Sequence, residues 1–323
     1  MTLVPSPARR LAFTLAVPRW TWVLAAVALL AVAPLVLYPA FLIKILCFAL
    51  FAAAFNLLLG YAGLLSFGHA AFFGGAAYIT AHSVKIWGLP PELGLLAGVV
   101  FAAALGLGMG MLAIRRQGIY FAMVTLALSQ MVYFIFLQAP FTHSEDGIQQ
   151  VPQGHLFGLV DLSRPLALYY TVATIFVLGL VFIWRVVNSP FGNVLKAIRE
   201  NEPRAISLGY EVNRYKLTAF VMSAALAGLA GATKALAFQL ATLVDVTWQM
   251  SGEVILMTLL GGIGTLLGPV VGATLVTVLE HQLGATSIPA PVLIGACFVA
   301  CVMLFRRGIV GEIEYRLARR NKR

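Results

Sequence analysis

The polar side chains that interrupt the apolar stretches of this chain are the first candidates for chemistry. Asn56, Ser66 and His69 lie around a glycine-rich stretch, while Thr125, Ser129 and Gln130 lie in a later apolar run. A polar group within lipid must find a hydrogen-bond partner or face water. These residues therefore predict either hydrogen bonds between helices or the lining of a path for a solute, and the sequence leaves both interpretations open.

The glycine-rich stretch at residues 60–78 adds Gly60 and Gly68 to the candidate path or gate residues. Small residues let helix backbones approach closely, and a broken helix is tolerated at membrane depth beside protein or a water-filled path. Close packing and a broken helix that lines the path are thus both compatible with the pattern. His69 is more typical of a packing histidine than of a proton carrier, because no acidic residue is clearly placed at mid-membrane to partner it.

No arrangement of residues in the sequence is typical of an enzyme. The chain contains no G-x-x-x-x-G-K-[ST] phosphate loop, no H-E-x-x-H zinc motif and no nucleophile elbow. Cys47, Cys297 and Cys301 lie in apolar stretches with nothing nearby to complete a metal site, so we expect them to be packing thiols. We predict no catalytic residue, no metal site and no cofactor in this chain. Transport powered by ATP would need another polypeptide to hydrolyse it.

Composition places the chain among membrane proteins. It is 61% hydrophobic and only 11% charged, whereas about a quarter of the residues in soluble domains are charged. A membrane crossing needs roughly 20 apolar residues. The sequence predicts an all-α, polytopic transmembrane bundle of about ten segments, or eight if the region after residue 250 crosses only once. The predicted spans are 20–38, 41–59, 61–84, 93–114, 118–137, 165–184, 215–238, 250–260, 268–282 and 291–305.

The positive charge is distributed as a topology signal. The net charge is +10, and most lysines and arginines fall in segments that share one side if the N-terminus is cytoplasmic, as the positive-inside rule requires. Both termini are therefore predicted to be cytoplasmic, and a nucleic-acid partner is not expected. The predicted organisation is a tail at 1–19, one transmembrane domain at 20–305 with a cytoplasmic loop at 188–214, and a basic tail at 306–323.

The loop at 188–214, which we call the elbow, is predicted to stay in water and to fold as helices. Its charged residues, at about 3 kcal/mol each, would oppose insertion into the bilayer. Ser189 can cap a helix that begins at Pro190, and Lys196 with Glu200 can form an i,i+4 pair. A second short helix is predicted between Pro203 and Gly209. The apolar face of the first helix consists of Phe191, Val194, Leu195 and Ile198. This face needs a cover, and lipid headgroups and a protein partner are equally compatible with the pattern.

Six stretches together resemble one transport family. They are NLLLGYAGLLSFGHAAFFGGAAY from Asn56, RQGIYFAMVTLALSQM from Arg116, THSEDGIQQVP from Thr142, SPFGNVLKAIRENEPRAISLG from Ser189, YKLTAFVMSAALAGLAGA from Tyr215 and LLGGIGTLLGPVVGA from Leu259. The combination, which covers about residues 40–285, is similar to the LivM-type permease subunits of bacterial branched-chain amino-acid ABC importers.

That resemblance implies a role for the elbow as the coupling helix pair that docks on an ATPase. The residues implied in docking are Phe191, Leu195, Lys196, Ala197, Ile198, Arg199, Glu200, Ala205, Leu208 and Gly209. Pro203 and Arg204 depart from the more alanine-rich run of the family. The loop Thr142 to Pro152 resembles the outer loop of the family, which is usually richer in glycine.

The resemblance also implies the setting and the partners of the chain. The expected location is the bacterial inner membrane, with the lipid bilayer around the bundle. The expected partners are a second homologous permease subunit, two ABC ATPases that carry ATP and Mg²⁺, and a periplasmic or extracellular substrate-binding protein. The implied substrates are branched-chain or similar apolar amino acids, with urea or short amides as an alternative. A stand-alone secondary carrier or channel for small solutes is the alternative of another class.

Overall fold

A computed structural model describes residues 37–158 and 160–283, together with residues 30, 32–34, 295, 299, 303 and 308–312. Most of the first and last predicted spans, the tail at 1–19, most of the tail at 306–323, and Cys297 and Cys301 lie outside these residues.

The described chain is mostly helical. Its helices are α1 (Pro39–Asn56), α2 (His69–Lys85), α3 (Pro91–Ala113), α4 (Ile119–Gln138), α5 (Pro165–Val187), α6 (Pro190–Glu200), α7 (Glu202–Ser207), α8 (Val212–Phe238), α9 (Trp248–Gly261) and α10 (Gly268–Leu283). π-Helical turns at Leu57–Ala62 continue α1, and short 3-10 turns lie at Pro140–Thr142, Ser144–Asp146 and Leu243–Val246. The two-residue strands are β1 (Ile148–Gln149), β2 (His155–Leu156), β3 (Val160–Asp161) and β4 (Leu240–Ala241).

Five of the described helices are long and apolar enough to cross a membrane. They are α1 with its π-helical turns, α3, α4, α5 and α8. The helices α2, α9 and α10 are shorter, with 17, 14 and 16 residues respectively. The prediction of an all-α membrane bundle is therefore confirmed in its class.

Helices α1 and α8 form the centre of the bundle. In the most apolar part of α1, 89% of the residues are buried, compared with 28% in α3. α8 packs on α1, α2 and α3, and α1 also packs on α5, α9 and α10. α1 is therefore surrounded by other helices on nearly all sides. Large apolar side chains of α3, α4 and α5 face outward from the bundle, as is expected for helices that border lipid.

Small residues determine how closely the central helices approach. A Cβ atom at Gly231 of α8 would lie 1.9 Å from the carbonyl oxygen of Phe73 in α2. A Cβ atom at Gly106 of α3 would lie 2.5 Å from the Cβ of Ala224 in α8. Lipid tails are as apolar as the side chains, so the hydrophobic effect does not drive helices together within a bilayer. Close van der Waals contact of this kind is what joins them instead.

The predicted span at 61–84 differs from the observed helices. The chain leaves the π-helical turns at Gly63, whose φ of +73° lies in the left-handed region that glycine adopts without strain. It regains helix only at His69. The residues 57–68, which we call the helix break, therefore separate α1 from α2. A second turn at residues 262–267, which we call the glycine turn, joins α9 to α10 where glycines predicted an interruption.

The connections at the end of the bundle opposite the elbow pair with one another. β1, in the connection between α4 and α5, pairs antiparallel with β4, which follows α8. β2 and β3 form a small hairpin. Lys85 at the end of α2 donates a hydrogen bond from Nζ to the Gln149 carbonyl at 2.6 Å. This end of the bundle is thus held by backbone pairing.

Candidate functional site

The non-helical backbone of the helix break is stabilised by hydrogen bonds from side chains of α4 and from within its own turn. The backbone N–H of Phe67 donates to Oγ1 of Thr125 at 3.1 Å, and Oγ of Ser129 lies 3.4 Å from the Phe67 carbonyl. Oγ of Ser66 accepts from the Gly68 N–H at 3.1 Å. A backbone that leaves helical geometry in a membrane must have its polar groups satisfied by protein. Ser66, Thr125 and Ser129 therefore support the break through hydrogen bonds.

Asn56 connects the start of the helix break to the glycine turn. Its Nδ2 donates to the carbonyl of Thr265 at 2.8 Å, and its Oδ1 accepts from the N–H of Gly264 at 2.9 Å. The side chain is almost fully buried. Gly60 lies beside this contact, because a Cβ atom there would be 2.3 Å from Oδ1 of Asn56 and 2.7 Å from the nitrogen of Gly264. The amide thus satisfies both a donor and an acceptor of a tight turn.

His69 lies in an aromatic environment between helices. Its Nε2 is 2.8 Å from Oγ of Ser223 in α8, and that hydroxyl donates to the Ala54 carbonyl of α1 at 2.6 Å. Because the hydroxyl proton is used on Ala54, Nε2 is the donor to Ser223. The rings of Phe55 and Phe72 contact the imidazole edge to face, with centroids 4.9 and 5.5 Å away. The residue joins α1, α2 and α8 by these contacts.

An apolar cleft of about 410 Å³ opens between the helix break and the start of α4. It is lined by Gly63, Leu64, Leu65, Phe67, Gly118, Ile119, Phe121, Ala122, Met123 and Leu126. Its walls have the composition of a site for an apolar group. Of the predicted path residues, Ser66, Gly68 and Thr125 take part in hydrogen bonds that hold the backbone of this wall. Gln130 is half-buried further along α4. None of these four residues lines the cleft itself.

The elbow folds as its local sequence predicts. Oγ of Ser189 accepts from the N–H of Gly192 at 3.3 Å and caps α6, with Pro190 in the first turn. Oδ1 of Asn201 accepts from the N–H of Arg204 at 3.0 Å and caps α7. The chain leaves α7 through Gly209, whose φ is +87°. The second helix begins and ends slightly earlier than predicted.

The apolar face of α6 is covered by the chain itself. Leu195 is fully buried in the main core. Ile198 is buried in a small cluster with Ala205 of α7 and Val212 of α8. The ring of Phe191 stacks on Tyr215 at 5.5 Å between centroids. The sequence left lipid headgroups and a protein partner as covers, and it did not anticipate this internal one.

A buried ion pair closes the elbow against α8. Nζ of Lys216 lies 2.6 Å from Oε1 of Glu202, and the lysine side chain is only 4% exposed. The predicted Lys196–Glu200 pair is not among the ion pairs of the described residues. Nζ of Lys196 instead lies 5.8 Å from the ring centroid of Tyr61 in the helix break, which suits a cation–π contact.

The residues of the implied docking set divide into buried and exposed groups. Leu195, Ile198 and Ala205 are buried within the chain. Those with exposed side chains or backbone are Ala197, Arg199, Glu200, Leu208 and Gly209, while Phe191 and Lys196 are half-buried. Leu208 is 68% exposed and Ile206, which was not predicted, is 57% exposed. An apolar patch therefore remains at the end of α7.

Arg199 points from α6 toward the helix break. Its Nη1 donates a hydrogen bond to the Gly60 carbonyl, and a Cβ atom at Gly63 would lie 2.7 Å from its Cγ. A Cβ atom at Gly264 would lie 3.3 Å from the same Nη1. The elbow, the helix break and the glycine turn thus meet around one guanidinium group. No pattern in the sequence predicted this junction, because its parts are distant along the chain.

Two lysines within the membrane helices are paired with carboxylates. Nζ of Lys44 lies 3.1 Å from Oε2 of Glu280. Lys234 of α8 forms an ion pair with Asp245, whose side chain is 3% exposed. Lys234 also lies 5.7 Å from the ring centroid of Phe48. These pairs join α8, α1 and α10 near the end of the bundle opposite the elbow.

Comparison with known proteins places this architecture in one family. The family described as "Branched-chain amino acid transport system / permease component" matches residues 37–305. The chain is 29% identical over 294 residues to the high-affinity branched-chain amino acid transport system permease protein LivM of Escherichia coli K12, which covers 82% of this chain and 68% of that protein. It is 33% identical over 251 residues to LivM of Salmonella typhimurium LT2, which covers 69% of this chain and 58% of that protein. No solved structure matches the chain.

Proposed function

Because this chain belongs to the branched-chain amino acid transport system / permease component family, we propose that it is one of two membrane subunits of an ATP-driven importer. The substrates are branched-chain or similar apolar amino acids. The observation that carries the proposal is the family match over most of the chain, together with a capped, charged elbow between two membrane helices. ATP and Mg²⁺ bind to the partner ATPases.

The arrangement of the bundle supports a multi-pass topology with the elbow in the cytoplasm of a bacterial cell. The elbow, the helix break and the glycine turn meet at one end of the bundle, while β1 and β4 pair at the other. With the first and last predicted spans added, we propose about ten crossings and cytoplasmic termini. The paired loops at the outer end are where a substrate-binding protein would deliver its ligand. A second permease subunit would complete the path.

The exposed patch at the end of α7 is proposed as the main docking surface for the ATPase. Ile206 and Leu208 are exposed apolar side chains on a water-facing segment, and burying such residues on a partner is favourable. Leu195, Ile198 and Ala205 act indirectly, since they hold the elbow to the bundle.

Replacing Leu208 with aspartate tests this docking surface. The side chain is 68% exposed, so the subunit is expected to fold. A charge in an apolar interface is expected to weaken the association by at least about tenfold. The measurement is the amount of ATPase retained when the tagged permease is purified after co-expression. Val160→Asp is the matched control, because Val160 lies in the hairpin at the other end and is also exposed. Equal ATPase retention in both variants would contradict the docking surface.

The apolar cleft beside the helix break is proposed as the inner part of the path. Ala122 lies on its wall, so an Ala122→Phe substitution fills the cleft and is expected to lower uptake by about tenfold or more, a barrier of about 1.4 kcal/mol. ATP-driven uptake of labelled leucine into proteoliposomes measures the effect. Ala127→Phe on the exposed face of the same helix is the control. The proposal for the cleft fails if the two variants transport equally well.

A further inference from the structure

The junction around Arg199 joins three segments that the membrane helices alone do not connect. Arg199 belongs to the elbow, Gly60 to the helix break and Gly264 to the glycine turn. The first contact runs from the guanidinium to the Gly60 carbonyl. The second runs from Asn56, one turn before Gly60, to Gly264 and Thr265. The two contacts follow one another in series.

The chemistry of the first contact is that of a helix C-terminus. Gly60 lies in the last turn of the helical segment that ends at Ala62, and the final carbonyls of a helix lack partners within the helix. A guanidinium is suited to this place by its charge and its fixed N–H groups. π-Helical turns are uncommon and are frequent at functional sites. Arg199 therefore stabilises the one described π-helical end of a long membrane helix.

The second contact, between Asn56 and the glycine turn, is tight. Nitrogen and oxygen of the Asn56 amide both bond to the glycine turn, at 2.8 and 2.9 Å. The close fit at Gly60 leaves no room for a side chain between Asn56 and Gly264. A displacement of the helix break must therefore move the glycine turn, or break two buried hydrogen bonds. α9 ends at this turn and α10 begins after it.

The same junction reaches the apolar cleft. Gly63 lies under the aliphatic stem of Arg199, where a Cβ atom would be 2.7 Å from Cγ. Gly63 is also part of the cleft wall, followed by Leu64, Leu65 and Phe67. The elbow thus contacts a wall of the cleft through the stem of Arg199.

We propose that Arg199 and Asn56 form a serial relay that transmits displacement of the elbow to the helix break, the cleft wall and the glycine turn. Arg199 is a positioning residue in this relay and not a docking contact for the ATPase. The relay rests on the proposed import function, in which the ATPase moves the elbow. It supplies a second route beside α5 and α8, the helices attached to the two ends of the elbow.

The test uses the complete transporter in proteoliposomes, with both permeases, the ATPases and the binding protein. Arg199→Met keeps the aliphatic stem over Gly63 and removes the donor to Gly60. We expect it to lower the amount of leucine transported per ATP hydrolysed by about tenfold, which lies within the usual range of coupling between two sites. Arg199→Lys keeps the charge and one donor, so it is expected to recover part of the ratio. Arg185→Met, at an exposed arginine at the end of α5, is the control for loss of one charge and leaves the ratio unchanged.

A double-mutant cycle tests whether the two contacts act in series. Asn56→Ala alone is expected to lower the same ratio. The Arg199→Met/Asn56→Ala double variant is expected to have about the same ratio as the more impaired of the two single variants. Additive losses would overturn the serial relay. If Asn56→Ala does not assemble, the result for Arg199→Met decides alone.

Three further outcomes have distinct meanings. An unchanged ratio in Arg199→Met, with wild-type transport intact, overturns the relay. Loss of ATPase from purified Arg199→Met complexes also overturns it, since a docking contact would then explain the defect. If the wild-type complex itself shows no ATP-driven uptake, the proposed import function is wrong, and the relay, which rests on it, is wrong as well.

Discussion

Replacing Gly231 with alanine is expected to destabilise the packing of α8 on α2. The new Cβ atom would lie 1.9 Å from the carbonyl oxygen of Phe73 and 2.6 Å from its carbon. These are backbone atoms of α2, so no side-chain rotation relieves the overlap and one helix must shift along its length. α2 and α8 pack closely at the centre of the bundle. Overpacking of a core usually costs about 1–3 kcal/mol, and we expect at least the upper value here.

The measurement is the thermal unfolding temperature of the purified subunit in detergent, together with its yield in the membrane fraction. Gly252→Ala is the matched control, because it makes the same change in α9 at a position with no atom within 4 Å of the new Cβ. Its effect on stability is expected to stay within about 0.5 kcal/mol. If Gly231→Ala melts at the same temperature as Gly252→Ala, the close approach of α2 and α8 is wrong.

The second large effect is expected from Asp245→Ala. Asp245 forms an ion pair with Lys234 and accepts a hydrogen bond from Oγ1 of Thr242 at 3.2 Å. Both charged side chains are mostly removed from solvent. The substitution leaves the lysine ammonium without its counter-ion between the rings of Phe48 and Phe73. Loss of one partner of a buried pair costs about 3–5 kcal/mol.

Two controls separate this cost from a general effect of losing a charge. The double variant Lys234→Met/Asp245→Ala removes both charges, so it is expected to regain most of the lost unfolding temperature. Glu211→Ala breaks the Arg214–Glu211 pair, whose side chains are 82% and 60% exposed, and no measurable shift is expected. An Asp245→Ala protein as stable as Glu211→Ala, or a double variant no better than the single one, would contradict the buried pair.

Features governed by neighbouring residues were predictable. The Ser189 cap, Pro190 in the first turn and the stop at Gly209 were all derived from local chemistry and appear in the structure. The apolar runs marked α1, α3, α4, α5 and α8 within a few residues. Local rules succeed here because a cap or a span depends on residues only a few positions apart.

Features that depend on distant partners were not predictable. Lys196 was expected to pair with Glu200, four residues away, but it lies over Tyr61. Lys44 pairs with Glu280, which is 236 positions away in the sequence, and no local pattern indicates this pair. The glycine-rich stretch was compatible with close packing and with a broken helix, and only the structure shows that the helix is interrupted before His69. In each case a contact from another helix outweighs the local preference.

The sequence by itself determined the class of the protein, its long membrane helices and the elbow, because hydrophobic length, charge and capping act locally along a chain. The tertiary structure alone decided which partners the polar residues take. Composition left both a path and bonds between helices open for Asn56, His69 and Thr125, and the structure shows the hydrogen bond that each of them makes. It also turned Arg199 from the elbow toward Gly60. Buried polar groups need partners, and which partner is within reach is a property of the packed bundle.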